Sequence, residues 1–492
     1  MASRLQRTPH TRLFLIENRA GPANAPSYQG FARAGSLDWP QGDITPVYLP
    51  SADNYDAFDV VDTIVGQRGL PTLSTEFRKN RDISAVLKLI RKGCAVDLQI
   101  HGGACKDPTD FDRGWEWITV LENARASSYG TSDLGAFDGD QNEAVLETIP
   151  WVGQDLFELK RLVPATIADS EITDPIVKVV ICDKVSCGEC GIESDGCQIV
   201  FALPAGVTGS PGLPNELLYT ENGGTTWGTT QITTIGLGGA AVSMACVGPY
   251  LVVTGDDSDL HYALITEILD GDETWTDVAL DETGAAIFSA GRTYTWIVGT
   301  SGNIEFFADP TVAGENQTSG TVENLTAIHG IDRYNLVTIG EANTVIYTQN
   351  GGDTWTSVTG PIPATNLNTV WMKNEREWFV GAANGNLYYT RDYGTTWATK
   401  TFPGSGSGSV KDIQFANQTV GYLSHTTAAG AGILFRTING GNTWYTLPDD
   451  TGQLFPTLDD LASIAACVDD PNVVFAGGTN ANGSDGVLVK AS

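Results

Sequence analysis

Thr220-Glu-Asn-Gly-Gly-Thr-Thr-Trp227 is an octapeptide that the chain uses four times. It returns as Thr348-Gln-Asn-Gly-Gly-Asp-Thr-Trp355, Thr390-Arg-Asp-Tyr-Gly-Thr-Thr-Trp397 and Thr437-Ile-Asn-Gly-Gly-Asn-Thr-Trp444. Thr holds the first place, Asn or Asp the third, Gly the fifth, Thr the seventh and Trp the eighth. These residue types suit a tight β-hairpin. Asn or Asp bonds its own turn backbone, and Gly accepts a positive φ. The threonine hydroxyls are expected to bridge the two strands, and the Trp ring to bury beneath the turn. A short apolar run precedes each copy: Leu217-Leu-Tyr219, Val345-Ile-Tyr347, Leu387-Tyr-Tyr389 and Ile433-Leu-Phe435.

The octapeptide resembles the Asp-box, or bacterial-neuraminidase repeat, of β-propellers. Its paired-glycine form is most similar to the propellers of photosystem II assembly factors. Repeat tryptophans stand at 227, 275, 355, 397 and 444, with Trp275 in a degenerate copy, Asp270-Gly-Asp-Glu-Thr-Trp275. The gap from 275 to 355 fits two blades, with the missing turn near Asn303-Ile-Glu-Phe-Phe-Ala308. A spacing of roughly 40–48 residues is that of four-stranded blades. After Trp444 three more strands fit, at 461–466, 473–477 and 486–490. They need a fourth from the N-terminal side, Ile176–Ile181 or Gln198–Phe201, which also removes the open edge. The expectation is a mainly β chain with a propeller over 198–492, of seven blades or else six.

At 492 residues the chain is long enough for two or more domains. Its 56 glycines, 12 tryptophans and 18% charged residues fit a turn-rich all-β protein better than a helical or disordered one. A formal net charge of -31 argues against a general nucleic-acid binder, which needs basic surface for phosphates. The basic start Met1–His10 has no long apolar run behind it, so neither a signal peptide nor a membrane span is expected.

Residues 1–42, rich in Pro, Gly, Ala and Arg, read as an extended arm that lies against a neighbouring subunit. Residues 43–181 read as an α+β sandwich or barrel, a β-rich assembly domain. Strands are expected at 59–65, 95–100, 117–121, 157–162 and 176–181, with an amphipathic helix at 83–92 capped by Asp82 and Gly93. Gln141–Ile149 fits a short helix or an extended segment. Leu87–Ile100 followed by Ser127–Phe137 resembles phage tail tube subunits, which combine a β-sandwich, one flanking helix and extended arms that lock rings together.

Cys182, Cys187, Cys190 and Cys197 crowd into a junction at 182–197. Only Cys187-Gly-Glu-Cys190 has knuckle spacing, so the reading is structural zinc or disulfides, with reduced thiols behind them. Zinc is the sole cofactor to consider. Cys246 and Cys467, among Ala and Ser, read as small core residues near the propeller axis.

Asp-box propellers include sialidases, whose resemblance implies an arginine cluster and a Tyr–Glu nucleophile pair. From 198 onward arginine stands only at 292, 333, 376, 391 and 436, no Arg-Ile-Pro precedes the blades, and Arg391 lies in a rim turn. His101, His261, His329 and His425 show no metal-ligand spacing. Asp256-Asp-Ser-Asp259 and Asp138-Gly-Asp140 read as solvated turns before calcium loops, and no phosphate loop or nucleophile elbow occurs. The expectation is no enzyme and no catalytic residue. It is instead a structural virion protein, a phage tail tube subunit assembled in the host cytoplasm. Its first domain self-assembles into rings or filaments with other virion proteins, and its propeller decorates the exterior. An acidic lumen would let DNA pass without specific binding. The alternatives are an assembly or scaffolding factor of the photosystem type and a propeller module that binds surface glycans.

Overall fold

The computed structural model describes the strands between residues 12 and 160, the strand at 164–168, and then 174–182, 197–206, 216–227, 232–358, 366–447, 458–480 and 485–492, apart from a few single positions and short gaps. The chain divides into two compact units, Met1–Lys160 and Arg161–Ser492.

The first unit is an antiparallel sheet of eight strands. Its central strand, Trp117–Ala126, pairs with Val96–Gly102 on one side and Asp155–Lys160 on the other. Ile118, Thr119, Val120 and Leu121 are all buried, so this stretch of the strand is covered on both faces rather than on alternate residues. Strands lie where 59–65, 95–100, 117–121 and 157–162 were expected, as Asn54–Val65, Val96–Gly102, Trp117–Ala126 and Asp155–Lys160, and the segment left open at 141–149 is extended from Leu146 onward. The helix expected at 83–92 lies outside the described residues. The N-terminal stretch differs from an arm reaching to a neighbour. Arg12–Glu17 pairs with Val96–Gly102, and Ala32–Asp38 pairs with Thr72–Arg78, both inside the unit's own sheet. A separate two-stranded sheet is formed by Ile44–Ser51 and Asn54–Val65.

The second unit consists of seven four-stranded antiparallel sheets among the described residues. Their innermost strands are Ile176–Ile181, Ala241–Val247, Gly284–Ala290, Leu325–Gly330, Leu367–Met372, Ser409–Phe415 and Leu458–Ala466, which define blades 1 to 7 in that order. Each touches the next, and the seventh touches the first, so the ring is closed. Three of the second strands, Val200–Pro204, Leu336–Gly340 and Trp378–Ala382, are buried at every position, and the other four at all but one or two end positions. Apolar clusters straddle neighbouring blades. Val337 and Ile339 of blade 4, for example, pack on Leu367, Val370 and Trp378 of blade 5. At roughly 1.5–3 kcal/mol per fully buried side chain, these seams hold the blades together.

Closure differs from the two strands expected for it. The fourth strand of blade 7 is Pro164–Ala168, paired with Gly486–Ala491. Ile176–Ile181 and Val200–Pro204 instead form the two inner strands of blade 1. The propeller unit therefore begins at Arg161, not at 198, and Cys182 and Cys197, which flank the paired strands Ile176–Ile181 and Val200–Pro204, belong to blade 1 rather than to a junction between domains. The reason is visible in burial: Ile176 and Val179 are completely buried against Phe475 and Leu488 of blade 7.

The repeated octapeptides are the turns between third and fourth strands. Gly223 and Gly224 sit at φ +62° and +80°, as the turn demands. Thr220 Oγ1 donates to Asn222 Oδ1 at 2.9 Å and accepts from Gly224 N at 3.2 Å, while Asn222 Oδ1 accepts from Thr226 N at 2.9 Å. The same three bonds recur at Thr348/Asn350, Thr390/Asp392 and Thr437/Asn439. The threonines thus lock the turn internally and do not bridge strands. In blade 3 the octapeptide is replaced by a turn between Ile304–Phe307 and Glu315–Asn316, where the lost copy was expected. In blade 2 a short helix, Ile265–Asp270, precedes the degenerate copy.

Candidate functional site: the central channel

The seven innermost strands share one irregularity. Each carries a register shift near its start, spanning Ile176/Lys178, Ala241/Ser243, Gly284/Ala286, Leu325/Ala327, Leu367/Thr369, Val410/Asp412 and Leu461/Ser463. A bulge inserts an extra residue and re-aims the side chains that follow. The strands surround a cavity of about 510 Å³ on the propeller axis, within the size range of small-molecule sites.

One residue past the bulge lies a hydrogen-bonded layer around Asp412. Its Oδ1 accepts from Thr369 Oγ1 (3.1 Å) and Ile413 N (2.8 Å), and its Oδ2 from Ile464 N (3.1 Å) and Ser463 Oγ (3.4 Å). Ser463 Oγ in turn accepts from Val179 N at 3.2 Å, so the network crosses blades 5, 6, 7 and 1. Lys178 Nζ stands 3.9 Å from Asp412, and Lys411 Nζ is paired with Asp460 at 2.9 Å. Thr326 Oγ1 donates to Leu367 O at 2.6 Å, and Asn368 Nδ2 to Val410 O at 2.7 Å. Most polar groups of this layer therefore tie one blade to the next.

Three residues past the bulge the channel is lopsided. Phe288, His329, Trp371 and Gln414 line blades 3 to 6, facing Val180, Ala245 and Ala465. The rings of His329 and Trp371 lie 4.0 Å apart between centroids, and those of Phe288 and His329 5.4 Å apart. His329 Nδ1 accepts from Met372 N at 3.0 Å, which puts the imidazole proton on Nε2. Burial, with the nearby Lys178 charge, holds its pKa down at about 3, so the ring is neutral. Gln414 Oε1 accepts from Ala466 N at 3.2 Å, leaving its amide nitrogen toward the channel. Because blades are antiparallel meanders, this layer lies toward the face that carries the octapeptide turns.

Of the zinc and disulfide readings of the cysteine stretch, disulfides hold at Cys182 and Cys197, with partners outside the stretch. Cys182 is bonded to Cys246 and Cys197 to Cys467, with Cα atoms 5.7 and 5.8 Å apart. Cys187 and Cys190 lie outside the described residues. Zinc on the four cysteines is thereby replaced by two long-range disulfides, because the residues near Cys182 and Cys197 pass beside the inner strands of blades 2 and 7. Cys246 and Cys467 are the partners rather than inert core residues. Among the described residues no group of three or more His, Cys, Asp or Glu could hold a metal ion. Asp138–Asp140 also lies outside them.

Other singled-out residues serve the scaffold. Asp257 accepts from Gly238 N at 2.7 Å, and His261 is buried between Asp257 (3.0 Å) and Asp277 (2.7 Å). His425 Nε2 donates to Ser407 O at 2.8 Å. A Tyr–Glu pair does occur: Tyr389 Oη donates to Glu377 Oε1 at 3.0 Å, with Arg391 Nε 3.2 Å from the same carboxylate. It is buried on the turn side of blade 5, outside the residues that line the channel. Burial and then the Glu377 charge raise the Tyr389 pKa. Burial, then Arg391 and Lys373, lower that of Lys400 to about 8. Of these channel side chains the sequence pointed only to His329, as a histidine without metal-ligand spacing, because single polar positions on seven separated strands carry no motif.

Seven meander blades closed by a strand from the N-terminal side define a β-propeller. Residues 311–489 match the family model of the DUF6242 beta propeller domain. Among solved structures the chain is similar to the WD40 repeats of RRP9 (10% identity, 67% of this chain and 96% of that chain covered, TM-score 0.50). It is also similar to YCF48 bound to D1 peptide (15% identity, 67% and 94% covered, TM-score 0.49) and to YCF48 from Cyanidioschyzon merolae (15% identity, 66% and 98% covered, TM-score 0.49). At such identities the likeness is one of fold. No curated protein matches the sequence. Among the described residues no helix is long and apolar enough to cross a membrane.

Proposed function

We propose that the chain is a structural protein of a virion, a tail-tube-type subunit without enzymatic activity. Its first unit polymerises, and its propeller is carried on the outside. The observation that supports this reading is the hairpin of Ile44–Ser51 and Asn54–Val65. Its longer strand has 12 residues, roughly 40 Å at the usual rise, and among the described strands it pairs only with its own partner. An isolated two-stranded sheet is marginal in water. Pairing with the next copy would satisfy its open edges and generate a ring or filament. The net charge of -31 suits a conduit past which DNA moves without sticking.

Negative-stain electron microscopy of the full chain tests this, beside a variant in which residues 48–61 are replaced by an Asn-Gly turn. Hollow rings or tubes from the full chain that disappear in the variant are expected. Monomers from the full chain at high concentration would refute the reading.

A further inference from the structure

The polar side chains of the channel sort into two sets. Asp412, Thr326, Asn368 and Ser463 are consumed by bonds between blades. A second set is left over, on three consecutive blades and at one height. His329 Nε2 carries a proton because Nδ1 is the acceptor for Met372 N. Gln414 presents its amide nitrogen because its oxygen accepts from Ala466 N. Trp371 Nε1 is a donor by constitution. Among the described residues none of these three N–H groups has a protein acceptor, although all three residues line the cavity.

Of the two lysines that line the channel, Lys411 is paired with Asp460 at 2.9 Å, and Lys178 is the cation left for a ligand. Asp412 is already met by four hydrogen bonds, and Lys178 stands 3.9 Å from it, beyond hydrogen-bond length, with its side chain 29% exposed. The opposite wall at this height is apolar: Val180, Ala245 and Ala465. Three neutral donors, one ammonium and an apolar wall match an acceptor group of charge -1 on a short apolar body. A phosphate dianion would need more cations than the channel offers.

We infer that the propeller channel binds a small-molecule carboxylate, its oxygens received by His329 Nε2, Trp371 Nε1 and Gln414 Nε2 beside the Lys178 ammonium. This is a property of the propeller alone and stands whether or not the first unit polymerises.

The test is isothermal calorimetry on the full chain with acetate, lactate and benzoate, each against its neutral amide. At least one carboxylate should bind about tenfold more tightly than its amide, the worth of one charge-assisted bond. Trp371→Phe keeps the ring and removes the donor, and Lys178→Met keeps the stem and removes the charge. Each should weaken that carboxylate by roughly fivefold or more while the melting temperature and far-ultraviolet spectrum stay those of the parent. Equal affinity for acid and amide, no heat from any of the three acids, or folded variants that bind like the parent would each overturn the proposal.

Discussion

Blade 1 is the seam of the ring, and it is stapled on both sides. Cys182–Cys246 joins it to blade 2 across 64 residues, and Cys197–Cys467 joins it to blade 7 across 270. The second bond closes the ring covalently beside the non-covalent closure made by Pro164–Ala168. Replacing Cys197 and Cys467 together by serine opens only that link. In the chain-entropy model a loop of that length corresponds to about 5.6 kcal/mol, and native disulfides deliver roughly 2–5. The 64-residue loop corresponds to about 4.3 kcal/mol, so its loss should cost about 1.3 kcal/mol less. For a propeller unit of this size the unfolding entropy is of order 0.7 kcal/mol/K, so the larger loss should lower Tm by about 3–8 °C. Scanning calorimetry of the full chain, the two double-serine variants and the chain in reductant reads this directly. Peptide mapping without reduction should also recover 197–467 and 182–246 linked fragments. An unchanged Tm in reductant, or free thiols at all four positions in the folded chain, would refute the assignment.

The turns and the buried histidines give further tests. Asp392→Ala removes a carboxylate that bonds Thr390 Oγ1, Thr396 N and Thr396 Oγ1 and should cost about 1–2 kcal/mol; Asp392→Asn, the residue three sister turns use, should cost about half of that or less by urea denaturation. Burial pushes the Asp392 pKa up, but the Thr396 and Thr390 bonds outweigh it and hold it below the usual value. Its contribution is therefore present above the unfolded pKa and is lost as pH falls through the folded one. Gly441 is at φ +83°, and an added Cβ would stand 2.5 Å from the Phe379 ring, so Gly441→Ala should destabilise by about 2–4 kcal/mol. Gly291, at φ +71° with open space around it, should lose only about 1 kcal/mol on the same change. Burial lowers the pKa of both His329 and His425, against a Ser407 hydrogen bond that raises the latter. Between the folded and unfolded pKa the unfolded chain binds more protons, so stability should fall as pH drops from 7 toward 4. His329→Gln should flatten that slope in urea midpoints measured across the range, and an equally steep slope would argue against a neutral His329.

The propeller was legible because its turns are written in local chemistry. Thr, Asn and Gly at fixed places within eight residues make three bonds among themselves, so the motif survives without knowledge of its neighbours. Blade 3, which lacks the motif, was placed by spacing alone. What sequence could not supply is everything that depends on partners far along the chain. Cys182 and Cys197 look like a cluster because they are 15 positions apart, yet their sulfurs meet Cys246 and Cys467. The closing strand was expected among apolar runs, but it is the short outer strand Pro164-Ala-Thr-Ile-Ala168, which pairs with Gly486–Ala491 alone among the described strands. The channel was hidden by the bulges. A strict period of two assigns Lys411 and Asp412 to opposite faces, whereas the inserted residue lets both line the axis. Seven blades repeat that bulge while the residues three past it range from Ala245 and Ala465 to Phe288 and Trp371. The backbone device is thus common to the ring and the chemistry is specific to one side of it. That division is what a scaffold adapted to one ligand or partner requires. It locates the search for either on blades 3 to 6, where the large and polar side chains stand.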